Sequence, residues 1–403
     1  MKTGGVAASI DAALTALHAL DERTHAVEWF DDDRVRADAA RLDAAPAATG
    51  PLHGLPVTVK DWIDVEGFPC AGGATVHRDR RPVADATVVA RLRAAGAVVV
   101  AKTKPWDGWD PNGPPVAHPV DPTRVPGGSS SGDAVATALG AVPLGVGSDS
   151  GGSVRLPAAW CGVFGLKPTT GRLPGTGHFP RFGDRSDGRT TMGFLSADLA
   201  LVERALAVTA GPDGLDQAAS PVPLASSTTV DVTGLRVALL PPDPRWPVTA
   251  TVADACERAV ATLVDAGMTR VEWAWPWLEE SRDVTLGYWQ RTVRSGADAS
   301  QQLWDWDRFR RRYLATAGGV EVLVTPVAAD VAPLRTAIDA RADADGHVDL
   351  SEDFVFTLPA SLTGSPALSV PMGVDAAGLP LAVQLIARPW DDAGLLAVAR
   401  ALG

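Results

Sequence analysis

Ala97-Val98-Val99-Val100-Ala101 follows directly on Gly96, which closes a helical stretch from Asp85 to Ala95. An apolar, β-branched run behind a helix reads as a strand, and helix followed by apolar strand is an α/β rhythm. The rhythm recurs along the chain. Val57–Lys60 reads as the end of a buried strand, and Asp133–Leu139 as a helix running into a short buried strand at Pro143–Val146. Leu166–Thr169 ends a further apolar segment, and Ala197–Ala210 is a helix stopped by Gly211-Pro212. Strand signals at 235–240, 270–273 and 320–325 flank a helix at 251–266. Residues 366–371 and 380–386 read as paired strands around Ala376-Ala377-Gly378, and 391–402 closes as a helix. Residues 5–45 carry alanine-rich amphipathic helical spacing, and the Ser/Thr/Pro-rich stretch 218–233 reads as a surface connection. The count predicts an α/β fold: a single large domain over residues 1–403, with a central mixed β-sheet sandwiched by α-helices.

A chain of 403 residues can bury a large core, and its formal net charge of -12 disfavours nucleic acid and anionic membrane as partners. Asp11 interrupts the N-terminal apolar stretch, which argues against a signal peptide. The uncharged run Ala134–Gly147 contains Pro143 and is too short to span a bilayer. Cys70, Cys161 and Cys256 have no metal-like spacing and read as buried thiols in a reducing compartment, so a soluble cytoplasmic protein is expected. No metal or cofactor is expected. Of the 36 basic residues only five are lysine: Lys2, Lys60, Lys102, Lys104 and Lys167. Where arginine supplies generic charge, a retained lysine points to work arginine cannot do, such as losing its proton.

Three segments carry chemistry. Pro126-Gly127-Gly128-Ser129-Ser130-Ser131-Gly132 and Gly147-Ser148-Asp149-Ser150-Gly151-Gly152-Ser153-Val154-Arg155 are serines set in glycine-rich turns. Upstream, Lys60 ends a strand. Acyl transfer needs a nucleophile, a base, an acid for the leaving group and an oxyanion stabiliser. Ser153 can be the nucleophile, and the Ser150–Ser153 turn can aim several backbone N–H groups at one point. Burial of Lys60 would lower its proton affinity and make it a base, with Ser129 passing the proton. The seven scattered histidines leave a histidine-based triad open at this point. Taken singly, each segment also reads as an ordinary loop, turn or surface charge; their joint order is what is specific.

These residues resemble the amidase signature family of serine hydrolases. Gly50–Asp61 is similar to its lysine segment, Pro126–Gly132 to its first serine motif, and Gly147–Arg155 with Pro157–Thr169 to its signature core. Leu362–Ala367 and Gly378–Gln384 also match, so the resemblance spans most of the chain. It implies a triad of Ser153 as nucleophile, Ser129 as bridging serine and Lys60 as base, with a cis peptide between Gly128 and Ser129. It further implies an oxyanion hole from the backbone of Ser150, Gly151, Gly152 and Ser153, support from Ser130 and Asp149, and Arg155 as an anchor of the turn. For Arg155 and Lys167 an ordinary charge is the competing reading. Departures cluster where the family varies its acyl pocket: Lys104, Asp121-Pro122, the basic segment 171–191, and the tryptophan-rich stretch within about 240–320. Each tryptophan there reads as a pocket wall or as ordinary packing.

The implied activity is hydrolysis of a small-molecule carboxylic amide to acid plus ammonia or amine. Carbamate, urea-like or ester hydrolysis on the same triad is the first alternative. An amidotransferase A-type subunit is the second; the short middle region and acidic balance weigh against it. A catalytically inactive binding homologue is the third, and a homodimer is admitted.

Overall fold

The computed structural model describes residues 5–45, 47–106, 113–179, 189–273, 277–289, 296–341 and 352–403. Eleven strands among them form one mixed sheet. In chain order they are β1 (Val27–Trp29), β2 (Pro56–Lys60), β3 (Val98–Thr103), β4 (Leu144–Asp149), β5 (Phe164–Lys167) and β6 (Thr191–Ser196). β7 (Arg236–Leu239), β8 (Thr269–Arg270), β9 (Val322–Pro326), β10 (Ala367–Val374) and β11 (Pro380–Ala387) follow. The spatial order is β1-β3-β2-β4-β6-β5-β10-β11-β9-β7-β8. β2 runs parallel to β3 and β4, whereas β4 to β9 pair antiparallel through the middle of the sheet.

Helices flank the sheet. The N-terminal half supplies α1 (Val6–Thr24), α2 (Asp32–Asp43), α3 (Thr87–Ala94), α4 (Ser131–Ala138), α5 (Arg155–Cys161) and α6 (Leu199–Thr209). The C-terminal half supplies α7 (Ala250–Asp265), α8 (Leu278–Trp289), α9 (Gly296–Thr316), α10 (Arg335–Asp339), α11 (Leu358–Thr363) and α12 (Asp392–Arg400). Val57, Val59, Val146, Phe194, Leu368 and Leu385 share one core across the central strands. The architecture is the single α/β domain with a mixed sheet between helices that the apolar runs predict.

The differences have local causes. β1 interrupts the stretch with helical spacing because three residues are too few to show a period; it forms by pairing antiparallel with β3. β6 gives no apolar-run signal, yet it lies between β4 and β5 and is buried along its whole length. Its centre, Gly193, lacks a side chain because a Cβ there would lie 2.3 Å from the Leu166 carbonyl oxygen. The tertiary neighbours on both sides, not side-chain pattern, make it a strand. The 270–273 strand shrinks to the exposed pair Thr269–Arg270.

The loop behind β5 is fastened to α12 by one buried carboxylate. Asp392 accepts from the Thr169 N–H at 2.7 Å, from Thr169 Oγ1 at 2.8 Å and from Arg172 Nε at 3.1 Å. Both charged side chains are essentially inaccessible. Removing one member of such a pair strands the other charge. Asp392→Ala is therefore expected to cost about 3–5 kcal/mol of stability, read from urea unfolding; a loss below about 1 kcal/mol would show that Arg172 is satisfied without it.

Candidate active site

Lys60 is the last residue of β2, held between β3 and β4, and is fully buried. Its Nζ donates to Ser129 Oγ at 2.7 Å and lies 3.4 Å from Ser148 Oγ on β4. Burial pushes the ammonium down to about 7, against the opposing pull of the Asp133 and Asp149 carboxylates. Asp133, on α4, is itself pushed up to about 7 by burial, although Thr58 Oγ1 donates to it at 2.8 Å. The next residue, Asp61, pairs with buried Lys102 at 3.1 Å and also accepts from the Ala71 N–H at 3.0 Å.

The two serine turns meet over this lysine. The Gly128–Ser129 peptide is cis, as the resemblance implies. Ser130 is buried and ties the turns together: its N–H donates to the Ser153 carbonyl at 3.0 Å, and the Ser148 N–H donates to its Oγ at 3.3 Å. Ser129, Ser150 and Ser153 are partly exposed, while Gly151 and Gly152 are buried. Ser153 therefore sits in a strand–turn–helix corner, between the end of β4 and the start of α5.

Asp149 and Arg155 shape that corner. Arg155 donates to both carboxylate oxygens of Asp149, from Nη2 at 2.8 Å and Nε at 3.0 Å, and both side chains are completely buried. Burial alone would raise the Asp149 carboxyl; the Arg155 guanidinium outweighs it and the net direction is down. Asp149 also accepts from the Gly152 N–H at 2.8 Å and the Val154 N–H at 3.2 Å. Gly152 adopts φ 137°, and a Cβ there would lie 2.2 Å from Thr357 Oγ1, so only glycine fits. The Gly152 N–H is thus held by Asp149, whereas the N–H groups of Ser150, Gly151 and Ser153 have no acceptor among the described residues. Arg155 reaches on to the Thr357 carbonyl and Ser361 Oγ, each at 2.8 Å, and to Gln384 Oε1.

The described tryptophans of the tryptophan-rich stretch have varied surroundings. Trp273 packs edge-on against Tyr313, Trp277 against Phe309, and Trp304 is 70% exposed. Trp306 donates to the Leu362 carbonyl, and its ring lies 5.8 Å from the buried Arg189 guanidinium. Trp275 falls outside the described residues, as do Arg181 and Arg185 of the basic segment. Two other tryptophans border the serines and the lysine. The Trp62 ring lies under Lys60 Nζ at 4.0 Å, and Trp106 packs so closely on Gly128 that a Cβ would come within 2.7 Å of it. Sequence reasoning missed both. The spacing of Trp62, two residues beyond Lys60, was the available signal. Among the described residues no group of three or more His, Cys, Asp and Glu side chains forms a metal site.

The sequence profile of the family described as Amidase matches residues 8–304 and 289–396. The chain belongs to the amidase family. This amidase is 32% identical over 443 residues to the acylamidase of Rhodococcus erythropolis, covering 96% of this chain and 90% of that one. It is also 32% identical to the A-type subunit of the glutamyl-tRNA(Gln) amidotransferase of Chloroflexus aurantiacus, covering 96% of this chain and 86% of that protein. Among solved structures, one described as a vestigial protein complex revealing the origins of an s-triazine catabolic enzyme superimposes with a TM-score of 0.87 at 28% identity. It covers 99% of this chain and 95% of that one.

Lys167 is also fully buried and is pushed down to about 7 by burial, with Arg155 adding to the effect. In the unfolded chain both Lys60 and Lys167 return to 10.5. Above about 7 the unfolded state binds more protons than the folded one, so these lysines make stability rise with pH. From pH 7.5 to 8.5, below the 9.0 at which unfolded cysteines ionise, each is expected to add about 1 kcal/mol per pH unit. Urea unfolding across that range checks this; Lys60→Met should remove roughly half of the combined slope, and an unchanged slope would show that Lys60 is ionised alike in both states.

Proposed function

We propose that this amidase hydrolyses carboxylic amides through an acyl-enzyme on Ser153, with Lys60 as base and Ser129 as the proton bridge. The observation that carries the reading is the inaccessible Lys60 amine, 2.7 Å from Ser129 Oγ and lowered to about 7 by burial. A neutral amine at physiological pH can accept a proton where an exposed lysine cannot.

In the proposed reaction Ser153 Oγ attacks the amide carbon while its proton passes through Ser129 to Lys60. The oxyanion is received by the N–H groups of Ser150, Gly151 and Ser153; Gly152 serves by shaping the turn through its bond to Asp149. Collapse of the tetrahedral intermediate breaks the C–N bond, and the Lys60 ammonium returns the proton through Ser129 to the leaving amine. Water then attacks the acyl-enzyme by the same relay in reverse, releasing the acid and restoring Ser153.

The substrate class proposed is linear, non-peptide amides with an apolar or aromatic acyl group. Trp62 and Trp106 beside the reacting groups support this, as does Phe354, whose Cδ1 lies 2.8 Å from where a Gly152 Cβ would be. The 240–320 region, expected to vary the pocket, reaches Arg189 through Trp306. A cytoplasmic setting is proposed on the buried free thiols of Cys70, Cys161 and Cys256. No helix among the described residues is long and apolar enough to cross a membrane.

The similarity to amidotransferase A-type subunits favours one second reading: delivery of ammonia from an amide to a partner. Glutaminase activity that appears only with added partner proteins would select it, whereas turnover of aryl and alkyl amides by the chain alone selects hydrolysis.

Ser153→Ala is expected to abolish turnover in a screen of such amides with the fold intact by circular dichroism; residual wild-type turnover would refute the nucleophile. Lys60→Ala should slow acylation by about 100-fold or more. In the wild type kcat/KM should fall about tenfold per unit as pH drops below the Lys60 value of about 7, because the ammonium cannot accept a proton. A rate flat from pH 5 to 8 would contradict Lys60 as base.

A further inference from the structure

Lys60 is enclosed unevenly. Two hydroxyls, Ser129 Oγ at 2.7 Å and Ser148 Oγ at 3.4 Å, lie within hydrogen-bond reach of Nζ. The Trp62 indole presents its ring to the same nitrogen at 4.0 Å from the centroid. That distance is well inside the range at which an aromatic quadrupole attracts a cation, and the attraction grows where water is excluded.

The ring is held in place by backbone rather than by chance packing. The Ile63 N–H donates to the Lys60 carbonyl at 2.9 Å, turning the chain back directly beyond the strand. The Phe179 N–H donates to the Trp62 carbonyl at 2.7 Å, and the Asp64 N–H to the Gly177 carbonyl at 2.8 Å. An isolated bridge joins Ile63 to His178, whose buried ring meets Trp62 edge-on at 6.1 Å. The segment preceding β6 is therefore zipped onto the residues that place the indole.

The other groups near the amine act differently. Asp133 on α4 and Asp149 on β4 favour the ammonium electrostatically. Asp149 is committed to Arg155, and the neighbouring Asp61 to Lys102 on β3. No carboxylate among the described residues forms a salt bridge with Lys60. Beside the two hydroxyls, the aromatic face favours the charged form of Nζ and, unlike a hydroxyl or a carboxylate, can neither take nor relay its proton.

We propose that Trp62 is a positioning residue for the reaction: its indole face keeps the Lys60 amine turned to Ser129 and stabilises the ammonium formed when Lys60 takes the proton. The inference rests on Lys60 being the base. Because Lys60 gains its charge as Ser153 attacks, a contact that favours the ammonium favours the tetrahedral intermediate over the free enzyme. The same contact partly offsets the effect of burial, so the amine is freed at a higher pH than burial alone would allow.

The test replaces position 62 alone, by site-specific incorporation, with tryptophans bearing one to four ring fluorines. Fluorine drains the ring quadrupole and leaves the indole shape nearly unchanged. The readout is the second-order rate of Ser153 labelling by a fluorophosphonate against pH, which requires no knowledge of the natural substrate. The acid limb is expected to move to lower pH stepwise with fluorine count, by about half to one pH unit at four fluorines, with a falling plateau. Trp62→Leu should shift it the same way and Trp62→Phe less, with thermal melting confirming the fold of each. An acid limb that stays put across the fluorine series, or moves up, overturns the role of the ring. Lys60→Ala labelling at the wild-type rate would instead overturn Lys60 as base, so the two failures are distinguishable.

Discussion

The Asp149–Arg155 pair, sealed from solvent, is what the corner carrying Ser153 hangs on. Its carboxylate takes two donors from the guanidinium and the backbone N–H groups of Gly152 and Val154, so the turn carrying Ser153 is set by four bonds to one side chain. The guanidinium in turn reaches α11 through Ser361 and the Thr357 carbonyl, and β11 through Gln384. Residues some two hundred positions apart are joined at one point. A buried charge pair of this kind is costly to desolvate and is stable only when every donor and acceptor is met. Here that condition fixes the turn that carries Ser153 and commits the Gly152 N–H to Asp149.

Lys60 illustrates the opposite use of burial. Lys102, equally inaccessible, has Asp61 at 3.1 Å; Lys60 has hydroxyls and an indole face. At Lys60 burial outweighs the pull of the Asp133 and Asp149 carboxylates, and its amine drops to about 7. Lysine scarcity points to unusual roles, and three of the five lysines, Lys60, Lys102 and Lys167, are fully buried. Arginine would not suit Lys60, because its guanidinium cannot give up its proton.

Much of the fold is legible because buried strands announce themselves as apolar runs: Val57–Lys60, Ala97–Ala101 and the 366–386 hairpin all fall in the sheet. β6 is not, because a strand with glycine at its centre takes its identity from its neighbours. The helices α5, α8 and α9 are also missed by the sequence patterns, the first because it starts two residues after Ser153 inside the motif. The tryptophan-rich stretch stands out by composition; of its described side chains Trp273 and Trp277 pack against α9, Trp304 is exposed and Trp306 reaches α11. Trp62 and Trp106, isolated in the sequence, stand beside Lys60 and Gly128.

From the sequence alone came the identity of the chemical parts: serines in glycine-rich turns, a rare lysine at a strand end, and an arginine two residues past Ser153. These are local signals, carried by backbone freedom and residue type within a few positions. Tertiary structure decided what surrounds them: which lysine sits against serine hydroxyls and an indole face, which amide N–H groups are spent on Asp149, and which tryptophans stand beside the lysine and the serine turn. Those properties depend on desolvation and on contacts between distant segments, and no local stretch of sequence encodes either.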